Sequence, residues 1–369
     1  MTKGKPYRLM ISGGGTGGHI YPAIAIANEF RERHPHAEIL FVGAEGRMEM
    51  TRVPQAGYKI VGLWISGLQR RLTFSNLLFP VKLVVSYVKA ARLVKKFRPD
   101  VVVGTGGYAS GPLMIAAARL GVPSILQEQN SVAGLTNRKL APYASAICVA
   151  YPHMEKYFPG AKLVMTGNPV RKDIADLSGK KEKAVRHFGL QMGVPTLLVL
   201  GGSGGARAIN HALRDSLDQI IASGAQLIWQ TGKVYYEEVR HTTEGKDLSR
   251  VRIYDFIGEM DLAYAAADTV ISRAGALAIS ELCLAGKATV LVPSSNVADD
   301  HQTRNAQVLE AAGAAEMVRD ADTSAQLATR ALQLLHDDGR RATLERNITT
   351  LARPNATQDI VQEIEKVIA

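Results

Sequence analysis

The sequence is poor in the residues that build several classes of site. Only two cysteines, Cys148 and Cys283, occur in 369 residues. Without clustered ligands, neither a disulfide framework nor a metal site is expected. Cys148 lies in an apolar run and Cys283 in a helical pattern, so both read as buried thiols in a reducing cytosol. Aromatic residues make up 6% of the chain, and no nucleic-acid motif accompanies them, so nucleic acid is not an expected partner. No uncharged apolar run reaches the ~18 residues that suggest a membrane-spanning helix. The opening MTKGKPYRLMISGGG lacks the apolar core of a signal peptide. No Lys followed by Ser or Thr closes the first glycine-rich loop, which excludes a Walker A site.

What is present is basic and uneven. The net charge is +10; residues 1–170 carry 21 Lys/Arg and 8 Asp/Glu, and residues 171–369 carry 23 and 26. A basic half joined to a near-neutral half suggests a domain that meets an anionic ligand or surface, with a membrane a better fit than nucleic acid. The stretch from Trp64 to Arg98 sharpens this. Arg70, Arg71, Leu72, Phe74, Leu77, Leu78 and Phe79 form a loop-like basic and apolar segment, read as membrane contact. Val81, Val84, Val85 and Val88 follow at helical spacing among Lys82, Lys89, Arg92, Lys95 and Lys96. For this stripe the expectation is an ordinary core-facing helix with a solvated basic face.

Short apolar runs alternate with helical patterns. Strands are expected at 7–11, 39–42, 100–103, 124–126 and 146–149, then again at 196–200, 225–230, 269–271 and 289–292. Such alternation implies parallel sheets covered on both faces. The recurrence of strand, glycine loop and helix near residues 8 and 196 predicts two Rossmann-like, doubly wound α/β domains. The expected domains are residues 1–168 and 169–354, joined near Gly167-Asn-Pro-Val170. A second break falls at Arg353-Pro-Asn355, and the terminal helix 355–369 is expected to pack back on the first domain.

Three glycine loops follow strands and open helices: Gly13-Gly-Gly-Thr-Gly-Gly18, Gly104-Thr-Gly-Gly-Tyr-Ala-Ser-Gly111 and Gly201-Gly-Ser-Gly-Gly205. Such loops bring backbone N–H groups up to an anion at a helix N-terminus. The first contains G-x-G-x-x-G and Glu45 ends the second strand, so a dinucleotide-dependent dehydrogenase is the runner-up. His19 follows the first loop directly. A neutral imidazole there can take a proton from an acceptor hydroxyl; the plainer reading is a histidine that only hydrogen-bonds the loop. Glu281 falls about two turns into a helix after strand 269–271, where a carboxylate suits the paired hydroxyls of a ribose. Gln302 opens another helix and can meet sugar hydroxyls. All these segments lie at carboxyl ends of strands, where ligands sit in open α/β sheets.

Taken together, Gly14-Gly-Thr-Gly-Gly-His19, Gly106-Gly-Tyr-Ala-Ser-Gly-Pro112, Glu128-Gln-Asn130, Gly167-Asn-Pro-Val-Arg171, Gly201-Gly-Ser-Gly-Gly-Ala-Arg207, Gly275-Ala-Leu-Ala-Ile-Ser-Glu281 and His301-Gln302 with Asn305 resemble the MurG family. These are the peptidoglycan N-acetylglucosaminyltransferases that convert lipid I to lipid II, and the resemblance covers essentially the whole chain. It implies a GT-B fold, two Rossmann-like domains facing an interdomain cleft, with UDP-N-acetylglucosamine held mainly by the second domain. The family's donor contacts fall on Thr16, Gly17, Gly18, Asn130, Arg171, Ser203, Ile257, Ala276, Leu277, Ala278, Ile279, Ser280, Glu281 and Gln302. Ile257 would offer backbone groups to the uracil, Glu281 would hold the ribose, and Arg171 and Ser203 would meet the phosphates. Gly14, Gly15, Gly106, Gly107, Tyr108 and Ser110 would cradle the acceptor diphosphate.

The resemblance further implies direct inverting attack by the muramyl 4-hydroxyl and a peripheral place at the cytoplasmic face of the bacterial inner membrane. No cofactor and no metal in the chemical step are expected; no DxD motif sits in a suitable place. Position 204 is Gly where some relatives carry Gln, so one side-chain contact to the diphosphate is absent. Besides the dehydrogenase, a membrane-recruited nucleotide-sugar sensor and a UDP-N-acetylglucosamine 2-epimerase share parts of the pattern. The first explains one loop only, the second has no use for His19, and the third has none for an apolar basic patch.

Overall fold

The computed structural model describes residues 5–67, 78–202, 204–295 and 300–369. The chain divides into two compact units, one made of Met1–Val170 with Asn355–Ala369, the other of Arg171–Pro354.

The first unit holds a seven-stranded sheet in the order β3-β2-β1-β4-β5-β6-β7. The strands are β1 (Arg8–Ser12), β2 (Glu38–Ala44), β3 (Lys59–Leu63), β4 (Val101–Gly104), β5 (Ser124–Glu128), β6 (Ala146–Val149) and β7 (Leu163–Met165). The second unit holds β8 (Thr196–Leu200), β9 (Gln226–Gln230), β10 (Val251–Tyr254), β11 (Thr269–Ser272), β12 (Ala288–Leu291) and β13 (Glu316–Met317), ordered β10-β9-β8-β11-β12-β13. Every pairing is parallel. The central strands explain why. The sequences VVVG in β4 and TLLVL in β8 are buried at every residue. A strand without alternation must be covered on both faces, which only helical crossovers accomplish.

Strand order reverses between β1 and β4 in the first sheet and between β8 and β11 in the second. At these switch points the following helices cross to opposite faces of the sheet, and the loops that lead into them meet at its carboxyl edge. Ser12 pairs with Gly104, and Leu200 with Ser272, so both loops of each pair leave their sheet at one level. The fold thereby brings the first two glycine loops together in one unit. In the other it brings the third loop beside the Arg273–Gly275 turn.

The terminal helix, Ala356–Ile368, buries Ile360, Val361 and Ile364 among Ile20, Phe30 and Val101 of the first unit. Its polar flank is tied by Glu365 to Arg33 and His34, and by Glu363 to Lys162. After the third glycine loop come two helices, Arg207–Asp215 and Leu217–Ala222, divided at Ser216. Cys148 and Cys283 are buried, and burial pushes both thiols up to about 12, which makes them unreactive.

The valine stripe departs from expectation. In the helix Phe79–Phe97 it is Ser86, Ala90 and Val94 that face the core. Val81, Val84, Val85 and Val88 are exposed, Val84 by 62%, and Leu78 just before them is exposed as well. The helix packs against its neighbours through Ser86, Ala90 and Val94, and the four valines of the stripe face outward. Among the described residues no helix is long and apolar enough to cross a membrane.

Candidate functional site

The first site is built at the switch point of the first sheet. Residues 13–16 link β1 to the helix Gly17–Arg33, and residues 105–109 link β4 to the helix Ser110–Arg119. The two loops touch so closely that side chains are excluded. A Cβ on Gly107 would lie 2.3 Å from the Gly14 carbonyl oxygen, and one on Gly13 would lie 1.8 Å from Thr105 Oγ1. Gly106 and Gly107 both adopt positive φ, 96° and 78°, which L side chains rarely tolerate.

His19 sits where the loops meet. Its Nδ1 lies 2.9 Å from the Thr105 carbonyl oxygen and 3.1 Å from Gln129 Oε1. Both partners are acceptors, so Nδ1 carries the proton and Nε2 is the basic nitrogen of the neutral ring. Thr105 Oγ1 donates in return to the His19 carbonyl at 2.7 Å. The ring is therefore fixed from its δ side by the second loop. The plainer reading of His19, a hydrogen bond to loop backbone, is correct as far as it goes, and that bond orients the basic nitrogen.

Other predicted residues of this unit are placed as follows. Thr16 is the exposed N-cap of its helix, with Gly17 and Gly18 in the first turn. Tyr108 stands beside Gly15, where a Cβ would meet its ring at 2.9 Å. Burial raises the Tyr108 phenol, while nearby Arg47 opposes the shift. Ser110 is fully buried and its hydroxyl donates to the Gly107 carbonyl at 2.8 Å. That bond shapes the loop. Asn130 turns its amide to Glu128, whose carboxylate also accepts from Gly134 N–H and Asn137. Glu45, the ribose candidate of the dehydrogenase reading, is exposed and paired with Lys89 at 3.0 Å.

One residue of this site was not foreseen. Glu49 is completely buried beneath the first loop, accepting from Gly15 N–H at 3.2 Å and Ala44 N–H at 3.0 Å. A Cβ on Gly14 would strike its carboxylate. An acid in the first turn of a helix is favoured on any helix, so its sequence position carries no signal.

The second site is built the same way. Gly202 and Gly205 adopt φ of 80° and 79°, and a Cβ on Gly205 would lie 2.3 Å from the Thr231 carbonyl oxygen. Ser203 lies outside the described residues, as do Arg70, Arg71, Leu72, Phe74 and Leu77. The helix Ala276–Ala285 opens directly after Gly275 and carries Leu277, Ala278, Ile279, Ser280 and Glu281. The Glu281 carboxyl is enclosed, and Tyr264 donates to it at 3.3 Å. Burial is the main influence and pushes Glu281 up to about 7; Arg171 and the Tyr264 bond pull against it, and Asp173 adds to it. Arg171 is exposed and donates to the Gly258 carbonyl at 2.9 Å.

Two contacts qualify the expected donor set. The Ile257 N–H is engaged by Gln230 Oε1 at 2.9 Å, which fixes its position. Gln302 Oε1 accepts from Ser294 N–H at 2.9 Å, which fixes the amide so that its NH2 supplies the remaining donors. The formal DxD at Asp320-Ala-Asp322 lies in a short turn, with Asp320 bound to Arg273. Among the described residues no group of three or more His, Cys, Asp or Glu is arranged to hold a metal ion.

Residues 9–149 match the glycosyltransferase family 28 N-terminal domain, and residues 196–364 match its C-terminal domain. A UDP-N-acetylglucosamine--N-acetylmuramyl-(pentapeptide) pyrophosphoryl-undecaprenol N-acetylglucosamine transferase of Cytophaga hutchinsonii is 53% identical over 368 residues, 100% of this chain and 99% of the relative. The Parabacteroides distasonis protein of the same name is 54% identical over 364 residues, 99% of each. The crystal structure of Acinetobacter baumannii MurG superposes with a TM-score of 0.79 at 29% identity, covering 98% of this chain and 100% of that one. The paired glycine-loop sites thus occur in a GT-B glycosyltransferase framework, and the chain belongs to glycosyltransferase family 28 and, within it, to the MurG family.

Proposed function

We propose that the protein transfers N-acetylglucosamine from UDP-N-acetylglucosamine to the muramyl 4-hydroxyl of undecaprenyl-diphosphate-linked N-acetylmuramyl-pentapeptide, with inversion. The observation that carries this reading is the δ-anchored His19 between two facing glycine loops, in a chain that aligns with its curated relatives from end to end. In the reaction the acceptor oxygen bonds to the sugar's anomeric carbon as the bond to UDP breaks. The hydroxyl proton passes to His19 Nε2, and charge builds on the departing diphosphate. Arg171 and the N-termini of the helices after Gly205 and Gly275 stabilise that charge.

The loops at Gly14–Gly15 and Gly106–Gly107, with Tyr108, take the acceptor diphosphate. Gln302 binds sugar hydroxyls through its NH2, and Glu281 accepts from the ribose. Thr16, Gly17, Gly18, Asn130 and Ser203 keep the donor contacts that the family resemblance gives them. The exposed valines of helix Phe79–Phe97 extend the membrane-contact surface of Leu78 and Phe79. From Met50 to Pro99 the chain contains no Asp or Glu, which suits the anionic cytoplasmic face of the plasma membrane.

UDP release measured with and without a lipid I analogue, in one detergent buffer containing EDTA, tests the reaction. Release that requires the acceptor and survives EDTA is expected. Retained donor binding with no release would move the reading to a non-catalytic sensor or to another acceptor.

Glu281 adds a pH prediction. Ribose hydroxyls donate, so the ionised carboxylate binds them better. Donor affinity is expected to rise between about pH 6 and 8 as Glu281 ionises around 7. Glu281→Gln should weaken UDP-N-acetylglucosamine binding by about 10–100-fold at pH 8 and flatten the profile. Because the folded value lies above the ordinary 4.5, stability from the neutral form is complete below 4.5 and is lost as pH rises through 7. The same variant should therefore melt higher than the parent at pH 8 and not at pH 4. Calorimetric titration and melting curves across this range check both; a pH-independent parent affinity would remove Glu281 from the ribose.

A further inference from the structure

Behind His19 lies a set of buried side-chain amides. Gln127, Gln129 and Asn168 are each at most 2% exposed. Their hydrogen bonds run one way. Asn168 Nδ2 donates to the Gln129 carbonyl at 3.0 Å, and Gln127 Nε2 donates to Asn168 Oδ1 at 2.9 Å. Gln129 Nε2 donates to the side-chain oxygen of Gln127 and, at 2.6 Å, to the Thr105 carbonyl. Gln129 Oε1 is then the atom that faces His19 Nδ1.

The direction of this chain fixes the amide. If the Gln129 amide turned over, its NH2 would face the His19 N–H, donor against donor, and its oxygen would face the Thr105 carbonyl and Gln127 Oε1. Each such mismatch leaves buried polar groups unpaired, which a buried site penalises. Asn168 holds the far end of this amide chain, three residues before the second unit begins at Arg171.

We propose that Gln129, oriented by Gln127 and Asn168, is a positioning residue for His19 that keeps the proton on Nδ1 and the base on Nε2. The proposal rests on His19 as the proton acceptor in the transfer. Gln129 supplies a second acceptor beside the Thr105 carbonyl, so the ring cannot rotate about one bond. It also stabilises the protonated ring that forms when the hydroxyl proton arrives. Among the described residues the ionisable side chains nearby include Glu49 beneath the first loop, Tyr108 on the second with Arg47 beside it, and Glu128 at the end of β5. Glu49 and Glu128 accept from backbone N–H groups.

The test is an NMR titration of the His19 imidazole in the full chain, with the signal assigned from its absence in His19→Ala, together with kcat against pH. Gln129→Met removes the acceptor at similar volume. Its His19 midpoint should fall by about 0.5–1 pH unit and its kcat by about tenfold, with donor KM unchanged. Gln129→Glu places a carboxylate on the ring and should raise the midpoint by about one unit or more. Asn168→Ala leaves Gln129 in place but releases its orientation, and should move the midpoint in the direction of the methionine variant by less.

A purely structural role would change melting temperature in these variants and leave the midpoint still. An unmoved midpoint in folded Gln129→Met, with His19→Ala inactive, would overturn the positioning role alone. A shifted midpoint with His19→Ala fully active would support the positioning of the ring and overturn His19 as the base.

Discussion

Replacing His19 by alanine is expected to lower turnover by roughly 10²–10⁴-fold while leaving UDP-N-acetylglucosamine binding nearly unchanged. A sugar hydroxyl is a poor nucleophile while it keeps its proton, and a neutral imidazole is the side chain best matched to accept it near pH 7. His19 also braces the loops. Its ring lies where a Cβ on Gly107 would come within 3.1 Å of Cδ2, and its carbonyl accepts from Thr105. Alanine therefore risks relaxing both loops, and a rate loss alone would not identify a base. His19→Asn separates the two effects. Its amide NH2 can replace Nδ1–H as donor to the Thr105 carbonyl, but nothing replaces Nε2. Equal losses in kcat for the two variants, with melting temperatures close to the parent, are the expected result. If His19→Asn turns over at a near-parental rate, His19 is a loop anchor and the proton leaves by another route.

The sequence marks the middle of each sheet and misses its margins. Every strand expected from an apolar run is present: β1, β2, β4, β5 and β6 in the first unit, and β8, β9, β11 and β12 in the second. The four that gave no signal, β3, β7, β10 and β13, are the four edges. An edge strand is covered on one side only, so it needs no continuous apolar run. KIVGL, LVM, VRIY and EM are short and mixed, and they pair because a neighbouring strand is already in place.

The sites divide in a similar way. Glycine loops were legible because backbone that must approach an anion, or another loop, excludes side chains, and at Gly107 and Gly205 the geometry enforces this. Residues that hold the loops from behind were not. Glu49, Thr105 and Gln230 act through contacts made by residues distant in sequence, and one sequence does not reveal such pairs. The helix Phe79–Phe97 misled for a specific reason. A valine stripe at helical spacing normally marks the buried face, and here the buried face is the one built of Ser86, Ala90 and Val94.

That inversion yields the second large prediction. Val84→Glu with Val85→Glu should weaken binding to anionic vesicles by roughly 100-fold or more, since burying a valine side chain is worth about 1.5–3 kcal/mol and the new carboxylates also meet a negative surface. Both valines are exposed, so the fold should melt as the parent does, and turnover of a soluble acceptor analogue should be unchanged. Lys95→Glu with Lys96→Glu, also at exposed positions, reverses charge and spares the apolar stripe. Its effect is at least about 1 kcal/mol per residue on anionic vesicles and little on neutral ones. It should also fade as salt shortens the range of the attraction. Charge reversal at Arg70 and Arg71 should act in the same direction. The two kinds of variant thus separate insertion from attraction: the valine pair loses binding on neutral and anionic vesicles alike, the lysine pair on anionic vesicles only. If the valine pair sediments with anionic vesicles as the parent does, this face of the helix does not meet the membrane. The four exposed valines would then have to be covered by something other than lipid.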